Sequence, residues 1–153
     1  MGLNGDLPVL AARVSALFRA RYQPRHHIPD DVRPTLTQLR QAGYTVGLVS
    51  NRTDPLEALV AELGLTGAFD FTLSAGQAGS WKPEPGIFQA AVRRAGCGPS
   101  QAVYVGDNYY ADVLGARAAG LTPILIDPDG VFPDPGCVVI ATLAELEATL
   151  AAL

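Results

Sequence analysis

Residues 102–127 read AVYVGDNYYADVLGARAAGLTPILID. Two short apolar runs, AVYVGD (102–107) and PILID (123–127), flank a helical stretch, YYADVLGARAA (109–119). Runs this short and rich in β-branched residues predict buried strands rather than helices. A strand, a helix of about ten residues and a second strand join by a right-handed crossover that leaves the strands parallel. The same alternation extends in both directions. TVGLVS (45–50) predicts a strand, and DPLEALVAEL (54–63) a helix with Asp54 as N-cap and Pro55 at its first position. FDFTLS (69–74) predicts a strand, AGQAGS (75–80) a Gly-rich loop and PGIFQAAVRRA (85–95) a helix. CVVIA (137–141) is a last strand, and LAELEATLAAL (143–153) closes the chain as a helix. Strands buried on both faces and separated by helices imply an α/β fold, a doubly wound, Rossmann-like parallel sheet.

Ahead of this pattern, residues 7–22 place Val9, Leu10, Val14, Leu17 and Phe18 on one face of an amphipathic helix. QPRHHIPDD (23–31) breaks it with two prolines. A further helix carries Val32, Leu36 and Leu39 at helical spacing, is capped by the Asp30-Asp31 pair and ends at Gly43.

At 153 residues the chain is the size of one domain. Apolar residues are 48% and charged residues 17%, which favours a filled core over disorder. The formal charge of −4, with no basic stripe, argues against nucleic acid as a partner. No apolar run approaches the ~18 residues of a membrane span. The two cysteines, Cys97 and Cys137, are too few for a disulfide framework, and no secretory leader is visible. A reduced, cytoplasmic protein is expected, with both cysteines as small core or turn residues.

In a doubly wound sheet, ligands sit beyond the carboxyl ends of the strands. That rule singles out Ser50 and Asn51, the loop around Lys82, and Asp107. A hydroxyl and free amides at a strand-to-helix junction form an anion site, since N–H groups and the helix dipole both favour negative charge. Ser50, Asn51 and Thr53 could equally satisfy only turn and cap groups. Lys82, in SWKPEPGIF (80–88), is the only lysine among eleven basic residues. Its compact charge suits a phosphate or carboxylate; the alternative is a solvated surface lysine. Trp81 beside it reads as packing. Asp107 ends its strand behind Gly106, and Asp112 follows within the first turns of the next helix. Two carboxylates so placed can face one hard cation such as Mg²⁺, or each can be a helix cap. His26-His27 has no metal partner in sequence and reads as a surface or hinge pair.

Taken in order, VSN (49–51), WKPEPGIF (81–88) and VGDNYYADVLGARAAG (105–120) resemble the haloacid dehalogenase superfamily of phosphohydrolases. The resemblance runs from about residue 28 to the C-terminus. It implies that Ser50, with Asn51, binds the transferred phosphate and that Lys82 holds it. It further implies that Asp107 and Asp112 coordinate or position Mg²⁺, and that the substrate is a small phosphorylated metabolite. On this reading residues 1–27 are a residual cap and 28–153 the core.

The family's first motif, a central strand ending in DxDG(T/V), has no counterpart before residue 44. Asp6, in LNGDLP, lacks both the apolar strand and the second Asp. The chain therefore reads as a domain that begins too late, and as impaired or inactive by itself. ILIDPDGVF (124–132) does carry a DxDGV string, with Asp127 and Asp129 as a nucleophile pair if the fold is circularly permuted. Permutation requires strand 123–127 to lie between strands 45–50 and 102–107; otherwise it lies outside 102–107. The alternatives to an enzyme are a non-catalytic phosphate- or metal-binding module, or one half of a two-chain enzyme. A nucleotide binder of another kind is disfavoured, because no GxGxxG or GxxxxGK[ST] follows a strand. A sheet without its middle strand exposes apolar faces and strand edges, so self-association or a covering partner chain is expected.

Overall fold

The computed structural model describes residues 7–21 and 27–153, the side chains of residues 18 and 19 excepted. Asp6, His26 and the Phe18 side chain lie outside the described residues. The elements are α1 (Leu7–Arg21), α2 (Val32–Gln41), β1 (Gly47–Ser50), α3 (Glu57–Glu62), β2 (Phe71–Ser74), α4 (Ala75–Ala78) and α5 (Pro85–Ala95). They continue with β3 (Val103–Gly106), a π turn (Tyr109–Leu114) running into α6 (Gly115–Ala118), β4 (Thr122–Ile126), β5 (Val138–Ile140) and α7 (Leu146–Ala151).

All strand pairs are parallel, and they fall into two groups. β1 pairs with β2, from Gly47 opposite Phe71 to Ser50 opposite Ser74. The second sheet has the order β3-β4-β5. The alternation of strand side chains shows that both groups lie in one layer. Val49 of β1, Leu73 of β2 and Tyr104 of β3 pack against Ile87, Phe88, Ala91 and Val92 of α5. Leu48 of β1 packs with Val32 of α2, while Val103 and Val105 of β3 pack with Leu39 of α2 and Leu146 of α7. Helices α5 and α2 thus bridge the two groups from opposite faces, which is the doubly wound arrangement. Between them, β1 and β3 each keep one edge without a ladder partner among the described residues. Both strands are only half-buried, although their position is central.

Several local expectations are corrected. The helix expected over 54–63 starts at Glu57, because Leu56 is drawn fully into the core and residues 52–53 are tied elsewhere. The Arg52 carbonyl accepts from Gly76 N at 3.2 Å, and the Thr53 carbonyl accepts from Ser74 Oγ at 3.4 Å. The expected loop at 75–80 opens with the helical turn α4, held by a capping box of Ser74 and Gln77. Asp31 stands at the start of α2 but makes no side-chain cap there. Its carboxylate accepts instead from Ala144 N at 3.1 Å, tying α2 to the C-terminal helical segment. Helix α1 forms as expected, but its apolar side chains are only weakly segregated to one face and are not buried: Leu7, Val9, Leu10, Val14 and Leu17 are all more than half exposed. No described helix is long and apolar enough to cross a membrane.

Candidate functional site

The loops beyond β1 and β3 meet at Lys82. Asn51, the first residue after β1, grips the Lys82 main chain at two points. Its Oδ1 accepts from Lys82 N at 2.7 Å, and its Nδ2 donates to the Lys82 carbonyl at 3.0 Å. The Lys82–Pro83 peptide is cis. The Lys82 side chain runs toward β3, where Nζ donates to Asp112 Oδ1 at 2.7 Å and lies 5.5 Å from the centre of the Tyr104 ring. Asp112 is buried in the π turn, and its Oδ2 accepts from Asn108 N at 3.0 Å. Lys82 retains only 14% of its side-chain exposure and Asp112 4%, so this is a buried pair.

Burial opposes the charge on Lys82, but Tyr104 and the Asp112 carboxylate outweigh it and hold the ammonium above the ordinary lysine range. Burial likewise pushes the Tyr104 phenol up despite the Lys82 charge, with Asp112 and Asp107 adding to the rise. At neutral pH the cluster therefore presents a charged lysine over a neutral phenol.

Ser50 ends β1 half-buried, its Oγ accepting a long bond from Arg52 N at 3.4 Å. Asp107 follows β3, exposed, with its carboxylate in no hydrogen bond or ion pair among the described residues. Of the residues expected from sequence, Asn51, Lys82 and Asp112 are joined by direct bonds, while Ser50 and Asp107 flank them at the carboxyl ends of β1 and β3. Asp112 is the lysine's partner, and both its oxygens accept hydrogen bonds, from Lys82 Nζ and from Asn108 N. Gly106 is required by the same carboxyl group, which a Cβ at that position would overlap.

Asp127 and Asp129 are not brought to this place. Strand β4 lies between β3 and β5, outside β3, so the strand order that a permuted enzyme requires is not found. The Asp127 carboxylate accepts from Val131 N at 3.0 Å and Phe132 N at 2.8 Å, bonds that hold it below the usual carboxylate range. Asp129 sits exposed in the same turn. Trp81, expected to pack, remains 44% exposed. Tyr104 was not singled out by sequence, because an aromatic residue flanked by valines in a strand reads as ordinary core.

No group of three or more His, Cys, Asp or Glu side chains converges among the described residues. Asp107 is the carboxylate here with free oxygens. That fits a Mg²⁺ ion, which commonly takes one or two protein carboxylates and completes its shell with water and substrate oxygens.

A family model for haloacid dehalogenase-like hydrolases matches residues 5–120. The chain is 41% identical over 97 residues to haloacid dehalogenase-like hydrolase domain-containing protein 3 of Homo sapiens, a match covering 63% of this chain and 39% of that protein. It is 35% identical over 128 residues to glyceraldehyde 3-phosphate phosphatase of Methanopyrus kandleri, covering 82% of this chain and 54% of the relative. It thus spans about half the length of such relatives or less. Among solved structures, a HAD phosphatase from Thermococcus onnurineus superposes with a TM-score of 0.75 at 31% identity, over 97% of this chain and 66% of that one.

Proposed function

This chain belongs to the haloacid dehalogenase-like hydrolases, and from that membership we propose that it is the core of a phosphomonoesterase acting on a small phosphorylated metabolite. The observation that carries the reading is the Asn51–Lys82–Asp112 chain of bonds. It fixes one buried cation at the carboxyl end of the sheet, between Ser50 and Asp107.

Asn51 sets the Lys82 main chain, and Asp112 sets the direction of its ammonium. Lys82 offsets charge on the phosphoryl oxygens, both in the bound ester and as charge shifts during transfer. The Ser50 hydroxyl and the amides that follow it donate to the same group. Asp107 would hold Mg²⁺, which when bound polarises a phosphoryl oxygen. The reaction further needs a carboxylate nucleophile to displace the alcohol, and no described residue offers one between β1 and β3. On this reading residues 1–27 are a residual cap and residues 28–153 the core.

A second reading is favoured by the unpaired edges of β1 and β3. In it the chain is the phosphate- and metal-binding half of a site whose middle strand comes from a partner polypeptide. Two copies covering each other's open edges are the simplest form of such an assembly, expected as a dimer by light scattering at tens of micromolar. A clean monomer there removes the self-association form.

Thermal unfolding with and without orthovanadate or phosphate tests the anion site. A ligand at about 100 times its Kd stabilises by about 2.7 kcal/mol, and the rise in Tm is expected in wild type and absent in Lys82→Ala. Equal rises in both proteins would sink the shared pocket.

A further inference from the structure

In the loops that follow β3 and β4, two aromatic rings stand face to face. Tyr109 opens the π turn two residues after Asp107, and Phe132 ends the turn that follows β4. Their ring centroids are 5.1 Å apart with planes at 21°. Neither ring belongs to any of the three buried apolar clusters of the core, and both are half-buried. The stack is therefore a surface feature, and the main chain that carries it is tied by hydrogen bonds. The two main-chain bonds to the Asp127 carboxylate fix Phe132 and its neighbour. Asn108, just before Tyr109, accepts from Ala111 N through Oδ1 at 2.8 Å and donates its own N–H to Asp112. Tyr110 is 66% exposed beside the pair, and Trp81 lies exposed next to Lys82.

We propose that the stacked Tyr109–Phe132 pair is the wall that receives the alcohol portion of the phosphomonoester, and that it selects alcohols bearing a flat or apolar ring over short polar ones. The inference rests on the phosphate site proposed above. A phosphoryl group held among Ser50, Lys82 and Asp107 must point its ester oxygen away from the sheet. The loops beyond β3 and β4 are among those that border this exit, and these rings stand on them. An aromatic wall gives a ring a stacking surface at little cost in lost side-chain freedom. The ring faces give hydroxyl groups no partner to replace water, and the Tyr109 phenol offers only one, so a short polyol gains little from the pair. The same constraint accounts for Asp127, which takes no part at the anion site: it anchors the wall.

Calorimetric titration of the full chain with methylphosphonate and benzylphosphonate, both with Mg²⁺, tests this. Benzylphosphonate is expected to bind about fivefold tighter, and the ratio of the two affinities is expected to fall to near one in Phe132→Ala and in Tyr109→Ala. Phe132→Leu, which keeps apolar bulk, serves if the alanine variant does not fold, and it too is expected to lower the ratio. Lys82→Ala is expected to weaken both ligands alike. Equal affinities in wild type, or a benzyl preference that survives the variants, overturns the wall and leaves the anion site standing. Binding of neither phosphonate removes the anion site and the wall together.

Discussion

Gly106 and the Asp112 carboxyl group pack so closely that no Cβ fits between them. The glycine is therefore a requirement of the lysine's partner six residues along the chain. Gly106→Ala is expected to push Asp112 away from Lys82 and to cost about 1–3 kcal/mol, the range for overpacking a tight site. The rise in Tm given by phosphate should shrink in the same variant. A variant as stable as wild type with an intact phosphate effect would show that the carboxyl group has room to move.

Lys82 and Asp112 are expected to depend on each other more than on the rest of the fold. Removing one partner of a buried pair strands a charge, at about 3–5 kcal/mol. With 14% of its side chain still exposed, Lys82 belongs at the low end, about 3 kcal/mol for Lys82→Ala. The double variant Lys82→Met with Asp112→Leu removes both charges and is expected to regain most of that loss. Denaturant unfolding of the single and double variants gives the coupling directly. Additive losses would mean that the pair is not the unit described.

Asp127 makes stability depend on pH in one direction. Its carboxyl is held below the ordinary range by the main-chain amides of Phe132 and Val131, so the native state binds its proton less readily than the unfolded chain. That contribution is present above the unfolded value of about 4 and is lost as pH falls through the lower native value. Asp127→Asn should therefore unfold more easily than wild type at pH 7, and the gap should close on acidification below about pH 4. A gap that stays constant with pH would assign the effect to shape rather than charge.

Catalysis is expected to be missing from this polypeptide alone. Loss of a nucleophile can forfeit a factor of about 10⁶, and no described carboxylate stands between β1 and β3. With Mg²⁺, hydrolysis of p-nitrophenyl phosphate is expected at the buffer rate, unchanged by Asp107→Asn. Turnover abolished by Asp107→Asn would reveal a nucleophile outside the described residues, with Asp6 the first to replace.

The fold was readable in the sequence because its strands are short apolar runs between helices of clear period. All five expected strands form, with ends shifted by one or two residues, and Pro85–Ala95 matches the helix expected there. Misreadings came where a side chain serves a distant element. Asp31 looks like a local cap in sequence and bonds instead to residue 144. The capping box at Ser74 and Gln77 was legible as S-x-x-Q, but the glycines around it suggested a loop. At the site, residue types and spacing singled out Lys82 and Asp107 as candidates. They could not assign Asp112 to the lysine, because a metal ligand and an ion-pair partner have the same spacing. The DPDG string shows the converse: a motif match without the neighbouring strands is a turn.

The split sheet also has a mechanical meaning. No main-chain hydrogen bond of the strand ladder crosses from β1 to β3; the two leaves are joined through the apolar faces of α2 and α5 and through the Asn51–Lys82–Asp112 link. Main-chain ladders resist local opening far better than side-chain contacts, and cooperative units tend to follow such boundaries. The line between the leaves is therefore a plane of weak main-chain cohesion, and the proposed anion site straddles it. An oxyanion held from both sides would act as a rivet across that plane, so binding and cohesion of the two leaves are one event.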